Sequence, residues 1–584
     1  MDRWITDWEP SPRYPLYTRA NAGEVLPEPA SPLGWTLVFE AGVAMGWADA
    51  QIAVGTLDPQ DLDPHRPEVL ACFGGYLYLN AAMARIFGVR APGLTPEMVD
   101  YLYFGQHPDV PPYVPEAWHE SEANTARLGE WMGRVLLAAD LPELRDLRDE
   151  AEEARASRPD LTKLDDAPLV ARARSFVPLI RRMFERHLEV TAGASIGSGV
   201  IGAVCAAIGD PALALTLVTG VGDVDSAAPS LALWGMSRTV RSSPELMALF
   251  DAGVDGLLDR LGRLAGPESR ELSSAFAAFE RDHGSRGPNE WDIRSSTWET
   301  SPELALALLD RMRLATDDAS PQLRSVRNIA DREATTARVE SVLAGQPDAL
   351  GQFQAGLHSA HLYLAGRERT KTAIIRVIHE VRMAVWELGT RHGYTPSATC
   401  MLLADELDAF VNDPTEFRAR LASREQQYLT LFDLDPPFIV GDTVPPLGEW
   451  PLRSSGHVGE RAAAGQVLSG IPGCPGRATG RARIVVHPSD PAGLEPGDVL
   501  VAPITDPSWT PLFVPAAAVV VDVGAQVSHA VIVSRELGIP CVVSVHDATR
   551  IIPDGAVVTV DGSAGTVVVV GSAGTVTVTE LPEG

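Results

Sequence analysis

The sequence predicts a multidomain protein with a large, mainly α-helical part followed by a small α/β domain. Three observations predict it. At 584 residues the chain is too long for one hydrophobic core, so two to four domains are expected. From about residue 36 to 450, apolar residues recur at three- and four-residue spacing, the period of an amphipathic helix. Past about residue 450 the pattern changes to short Val/Ile-rich runs cut by Gly, Pro and Asp.

Residues 1–35 are Pro-rich and read as an irregular start to the first domain, 1–451. Its helices show in stretches such as "ANTARLGEWMGRVLLAADL", "APLVARARSFVPLIRRMFERHLEV" and "TKTAIIRVIHEVRMAVWELGTRHG", with breaks at Pro, Gly and Asp clusters. No repeat of fixed period is visible. The small, polar run "RSSGHVGERAAAGQ" predicts a flexible linker over 452–469, with an r.m.s. span of roughly 20–25 Å. The second domain, 470–584, holds the strand-like runs "GRARIVV", "GDVLVAP", "AAAVVVDV", "CVVSV", "AVVTVDG" and "GTVVVV", and one helix at about 529–538.

Composition narrows the function. A net charge of −29 repels nucleic-acid backbones and anionic membranes overall, while leaving room for a local basic pocket. The longest apolar region is broken at Gly209-Asp210-Pro211 and predicts no membrane span. The start, "MDRWITDWEPSPRYP", has no basic n-region and no apolar h-region. Cys72, Cys205, Cys400, Cys474 and Cys541 lack CxxC spacing, which predicts no zinc site, no disulfide framework and a cytoplasmic protein. Of the 48 basic residues only Lys163 and Lys371 are lysine, so each retained lysine is a candidate for a specific role.

The stretch "GAQVSHAVIVSRELGIPCVV", 524–543, places His529 where a small-residue turn meets a helix. Unpaired N–H groups at a helix N-terminus favour an anion such as a phosphoryl group. A neutral imidazole is a good nucleophile near pH 7. Ser528 is a candidate N-cap, and Gly524 permits close backbone approach. A capping or buried histidine in a structural turn is the alternative on these residues alone.

In order and spacing, "PGRATGRARIVV", "EPGDVLVAPITDPSWTPLF", "AAAVVVDVGAQVSHAVIVSRELGIPCVV" and "IIPDGAVVTVDGSAGTVVV" resemble the swivelling phosphohistidine domain of phosphoenolpyruvate-utilising enzymes. That family includes phosphoenolpyruvate synthase, pyruvate phosphate dikinase, rifampin phosphotransferase and phenylphosphate synthase. The resemblance covers about 473–570. It implies that His529 carries the phosphoryl group and that Ser528, Gly524 and Thr505 orient it. Ala525 stands where a second glycine is usual, and Cys541 where a small alanine is usual.

Upstream, "NAGEVLPEPASPLGW", "HGSRGPNEWDIRSSTWETSP" and "AGRERTKTAIIRVIHEVR" are similar to signatures of the helical substrate-binding domain of rifampin phosphotransferase and its relatives. Arg367 and Lys371 are four apart and share one helix face, as a receiver of a phosphoryl group requires. A solvated basic face paired with Glu368 is the alternative. The resemblance implies that Arg367 and Lys371 face the phosphohistidine near the acceptor hydroxyl. It also places Glu24 at a polar active-site position, where a carboxylate can accept the hydroxyl proton. Arg286, Glu290 and Asp292 are candidates for a charge network, either lining the cavity or tying helices together. Ser285 stands where the family often has His. "GSGVIG", 197–202, fits a dinucleotide-binding pattern, but the preceding "LIRRMFERHLEV" reads as helix rather than strand, so close packing is the better reading.

The resemblance begins near residue 20 and finishes with the swivelling domain. It therefore leads to the expectation of a phosphotransferase component that neither makes nor uses phosphoenolpyruvate itself, with no tightly bound cofactor and no metal. A separate ATP-grasp protein, using ATP and Mg, would charge His529. The partners expected are that protein and a small hydroxylated substrate. A dehydratase or lyase that eliminates a phosphorylated hydroxyl, and a non-catalytic binding homologue, are the alternatives.

Overall fold

The computed structural model describes residues 8–104, 107, 109–222, 225, 227–453, 461–486, 493–505, 509–525 and 528–571. The large part is helical as expected, built around two long helices. α1 is a short turn, Ala22–Val25, and α2 runs over Gly34–Val54, its first turns wound wider than an α-helix. α3, Val177–Ala207, packs along α5, Pro347–Arg391, with α4, Pro321–Leu343, between α3 and α5 in sequence. Glycines set the α3–α5 spacing. A Cβ on Gly197 would lie 2.4 Å from the Ala360 nitrogen, and one on Gly193 would lie 2.5 Å from the Tyr363 ring. "GSGVIG" is therefore helix interior, used for close packing.

The first domain is mainly helical, as expected, and also carries a small sheet. β1 (Tyr17–Thr18), β2 (Leu70–Phe73), β3 (Tyr76–Asn80) and β4 (Ile439–Val440) form an antiparallel sheet in the order β2-β3-β1-β4. Its hairpin turns at Gly74-Gly75, both at positive φ, which is the backbone such a tight turn needs. One expectation is corrected. By length and composition alone, Gly34–Val54 and Asp166–Ala207 are long and apolar enough to cross a membrane, the second because its apolar run extends upstream of the Gly209 break. About half of each is buried against the rest of the fold.

The small domain holds an eight-stranded sheet in the order β5-β12-β11-β7-β8-β9-β10-β6. Its strands are β5 (Val467–Ser469), β6 (Ile471–Cys474), β7 (Arg477–Ile484), β8 (Val499–Ala502), β9 (Ala518–Val521), β10 (Cys541–Val543), β11 (Val557–Asp561) and β12 (Thr566–Gly571). The central run β7-β8-β9-β10 is parallel and the flanks are antiparallel. Every residue of β8 and β9 is buried, as continuous Val/Ala runs require in a parallel sheet. Part of the expected linker 452–469 belongs to this domain. The Ala462 N–H donates to the Ile551 carbonyl, and 467–469 are β5. Residues 454–460 of that expectation lie outside the described residues.

The two parts are packed together. Leu233, Trp234 and Phe279 of the helical part share one apolar cluster with Phe513, Val519 and Val531 of the small domain.

Candidate active site

Parallel strands leave loops at their carboxyl ends, and ligands of α/β sheets bind there. β8 and β9 are adjacent and parallel. The loop after β8 leads through Thr505 into α6, Thr510–Phe513, and the loop after β9 leads into α7, His529–Leu537. The histidine thus opens its helix, with Ser528 at the N-cap position, as the sequence predicts. The Ser528 hydroxyl makes no capping bond. Gly524 has a packing reason: a Cβ there would lie 2.9 Å from the Val543 Cβ.

The His529 ring lies between two threonines. Thr505 Oγ1 is 3.3 Å from Nδ1, and Thr510 Oγ1 is 3.1 Å from Nε2. Sequence reading missed Thr510, although it sits in the same "ITDPSWTPLF" stretch. Burial pushes the imidazole well below its ordinary pKa, and Lys371, Arg286 and Arg367 push the same way. His529 is therefore neutral at physiological pH, the form that attacks phosphorus.

Glu24 comes from the other domain. Its Oε2 accepts the backbone N–H of His529 at 3.3 Å, filling the positive end of α7 with a carboxylate. Burial raises the Glu24 pKa to about 7, opposed by that hydrogen bond, Arg367 and Lys371. A carboxyl group poised there exchanges protons near neutral pH.

Arg367 and Lys371 lie on α5, one turn apart, and both bear electrostatically on His529. The nearest carboxylate to Arg367 is Glu368, at a loose 3.7 Å. Arg367 Nε and Nη1 are buried and have no hydrogen-bond partner among the described residues. Buried donors without a hydrogen bond are costly, and an oxyanion placed there would satisfy them. Burial lowers the Lys371 ammonium, partly offset by Glu368 and Glu290. His187 stands behind this pair, its Nδ1 2.8 Å from Thr370 Oγ1, with burial lowering its pKa to about 3.

The expected trio Arg286, Glu290 and Asp292 divides. Arg286 Nε donates to Glu290 Oε2 at 2.7 Å, and both residues bear on Lys371. Asp292 instead accepts from the backbone N–H and the hydroxyl of Ser31, each at 2.6 Å. Its role is to tie the 286–298 loop to the start of α2. Ser285 is buried, and its hydroxyl has no partner among the described residues.

A clamp at the far end of α7 was not legible in the sequence. Asn328 of α4 donates its amide to the Arg535 and Glu536 carbonyls at 3.0 and 3.2 Å. Two left-handed glycines, Gly220 and Gly538, make room for it. A Cβ on either would come within 2.7 Å of Asn328. The Glu536 carboxylate accepts the Val221 and Gly222 N–H groups at 3.1 and 3.3 Å. Both ends of the histidine helix are therefore held by the helical part. The five cysteines are free and buried. No cluster able to hold a metal occurs among the described residues.

Two family descriptions match the chain. Residues 186–368 match the rifampicin phosphotransferase fourth domain, and 494–565 match the mobile domain of PEP-utilising enzymes, which contains Thr505, Thr510 and His529. An uncharacterized protein of Mycobacterium tuberculosis is 29% identical over 585 residues, covering 95% of this chain and 62% of its own length. The prodigiosin synthesizing transferase PigC of Serratia marcescens is 29% identical over 352 residues, 58% of this chain and 38% of its own. A rifampicin phosphotransferase of a Streptomyces species is 30% identical over 380 residues, 62% of this chain and 42% of its own. The chain thus spans less than two thirds of the length of each of these relatives.

Proposed function

For a chain that is a member of the PEP-utilising enzyme family and resembles rifampicin phosphotransferase, we propose a phosphotransferase component working through a phosphohistidine. His529 takes a phosphoryl group from a separate ATP-grasp protein, which supplies the ATP and Mg. The small domain then docks on the helical part, and the group passes to a hydroxyl of a small organic acceptor in the cytoplasm. The observation that carries this reading is the pairing of a neutral His529 with the Nε and Nη1 donors of Arg367, which are buried without a hydrogen-bond partner among the described residues.

Arg367 and Lys371 hold the phosphoryl oxygens as charge builds on them. Glu24 accepts the hydroxyl proton. Thr505 and Thr510 keep the ring in one orientation. In a second reading, a dehydratase or lyase, the phosphorylated hydroxyl is a leaving group. A stable phosphate ester supports the first reading, and an elimination product with free phosphate supports the second.

The test uses ATP labelled at the β-phosphate, with and without extract of the source organism. Acid-labile label should appear on the wild type only with extract, and never on His529→Ala. Label without extract removes the separate donor. No label in either case, with an extract active on a control protein, removes the phosphohistidine.

A further inference from the structure

Beyond Arg367 and Lys371, α5 carries His379, Arg382 and Trp386 at spacings of three and four, so these share one helix face. Lys371 lies on that face too, about three turns before Arg382. All three reach the segment that carries Arg286 and Glu290. Arg382 Nη2 donates to the Glu290 and Asp292 carbonyls at 2.7 and 3.0 Å. The Trp386 indole donates to the Ile293 carbonyl at 2.8 Å. Arg382 Nη1 is 3.0 Å from His379 Nδ1, and His379 Nε2 is 3.0 Å from Glu299 Oε2. A guanidinium only donates, so Nδ1 accepts and Nε2 donates to Glu299. Burial keeps this imidazole neutral, lowering its pKa to about 4. Glu299 in turn pairs with Arg155 and Arg158 at 2.7 and 2.6 Å.

Arg382 is fully buried, yet its donors reach no carboxylate among the described residues. A buried charge costs much unless it is hydrogen-bonded. Its bonds to the carbonyls on either side of Trp291 fix where residue 290 sits. Glu290 Oε2 accepts from Arg286 Nε at 2.7 Å, and Arg286 Nη1 is 3.4 Å from Thr372 Oγ1, beside Lys371. Burial disfavours the Lys371 ammonium, and Glu290 supports it.

We propose that Arg382 is a positioning residue, which through the Glu290 carbonyl holds the Arg286–Glu290 pair against Lys371 and so keeps Lys371 set for the phosphoryl group. The proposal rests on the phosphotransfer reading above. The charged and titratable groups that face Lys371 are Arg367 and Glu368 on α5, Arg286 and Glu290 of the loop, Glu24 of α1, His187 of α3 and His529 of α7. Among the described residues, Glu290 is the one of these that Arg382 bonds. The sign is diagnostic. Loss of the Arg382 charge, felt directly, would raise the Lys371 pKa, whereas release of Glu290 lowers it.

The chain has two lysines, Lys163 and Lys371, so full-length protein carrying [ε-13C]lysine gives two resonances, and Lys163→Arg assigns them. Lys371 should lose its proton about one pH unit lower in Arg382→Gln than in wild type, the usual reach of one nearby carboxylate. Glu290→Gln should reproduce the change. Arg382→Lys, which keeps a cation but cannot span both carbonyls, should act in the same direction, and it decides if Arg382→Gln fails to fold by circular dichroism. An unchanged or raised Lys371 titration in the Arg382 variants, or none of the change in Glu290→Gln, overturns the positioning. Protein labelled from ATP carrying label at the β-phosphate, freed of nucleotide and chased in fresh extract of the source organism, should lose its label roughly 10- to 100-fold more slowly in Arg382→Gln. Equal rates overturn the role in transfer. No label on the wild type removes the phosphotransfer reading, and the lysine titration still decides whether Arg382 positions Lys371.

Discussion

The backbone N–H of His529 donates to the Glu24 carboxylate at 3.3 Å, across 505 residues of sequence. One contact thus joins the proposed phosphoryl carrier to the proposed proton acceptor, and the small domain to the helical part. It also puts a carboxylate where a helix N-terminus prefers an anion. A resting carboxylate and an arriving phosphoryl group are drawn to the same end of α7.

The pH dependence of transfer follows from Glu24. Its pKa is raised to about 7, and a proton acceptor must be ionised to work. Discharge of phosphohistidine to acceptor should therefore rise with pH through about 7. His529, lowered well below its ordinary value, stays neutral and adds no limb there. Glu24→Gln should abolish the inflection and slow discharge roughly 100-fold, within the usual contribution of a general base. Rapid-quench rates across the pH range check both.

Arg367→Ala should leave charging of His529 intact and slow its discharge by roughly 100- to 1,000-fold, the ordinary cost of removing one preorganised donor. Lys371→Ala should act in the same direction. Separate charging and discharge assays on one preparation check the split. Equal losses in both steps point to misfolding instead.

Asn328→Ala removes two hydrogen bonds that hold the far end of α7. At a net value of about 0.5–1.5 kcal/mol for each bond, docking should weaken roughly 5- to 150-fold. Discharge should slow while charging is unchanged.

Two glycines in "GSGVIG" should respond oppositely to alanine. Gly197→Ala places a Cβ 2.4 Å from the Ala360 nitrogen, so it should destabilise by about 1–3 kcal/mol. Gly199 faces open space on the same helix. Gly199→Ala should stabilise by about 0.5–1 kcal/mol through helix propensity. Thermal and denaturant unfolding of the two variants check the opposite signs.

Short-range features were legible where the chemistry is local. Arg367 and Lys371 share a face because helical period alone puts them there. His529 opens a helix after a small-residue turn, with Ser528 at the N-cap position. The β2–β3 hairpin at Gly74-Gly75 was not read from the sequence, and its partners β1 and β4 come from opposite ends of the domain. That pairing is a matter of three-dimensional closure and leaves no local mark. Asn328 likewise reads as one more polar residue on an exposed helix until Gly220 and Gly538 are brought against it.

By itself the sequence determined the division into a helical part and a small parallel-stranded domain, the histidine at the mouth of its helix, and the cation pair on α5. Each follows from periodicity, capping or turn chemistry within about ten residues. Only the tertiary structure decided which partners meet. It brought Glu24 to the His529 backbone, split Asp292 from Arg286 and Glu290, and clamped α7 at both ends. The physical reason is that these arrangements depend on burial and on complementary surfaces contributed by distant segments. The free energy of such contacts comes from docking and not from any local preference of the chain.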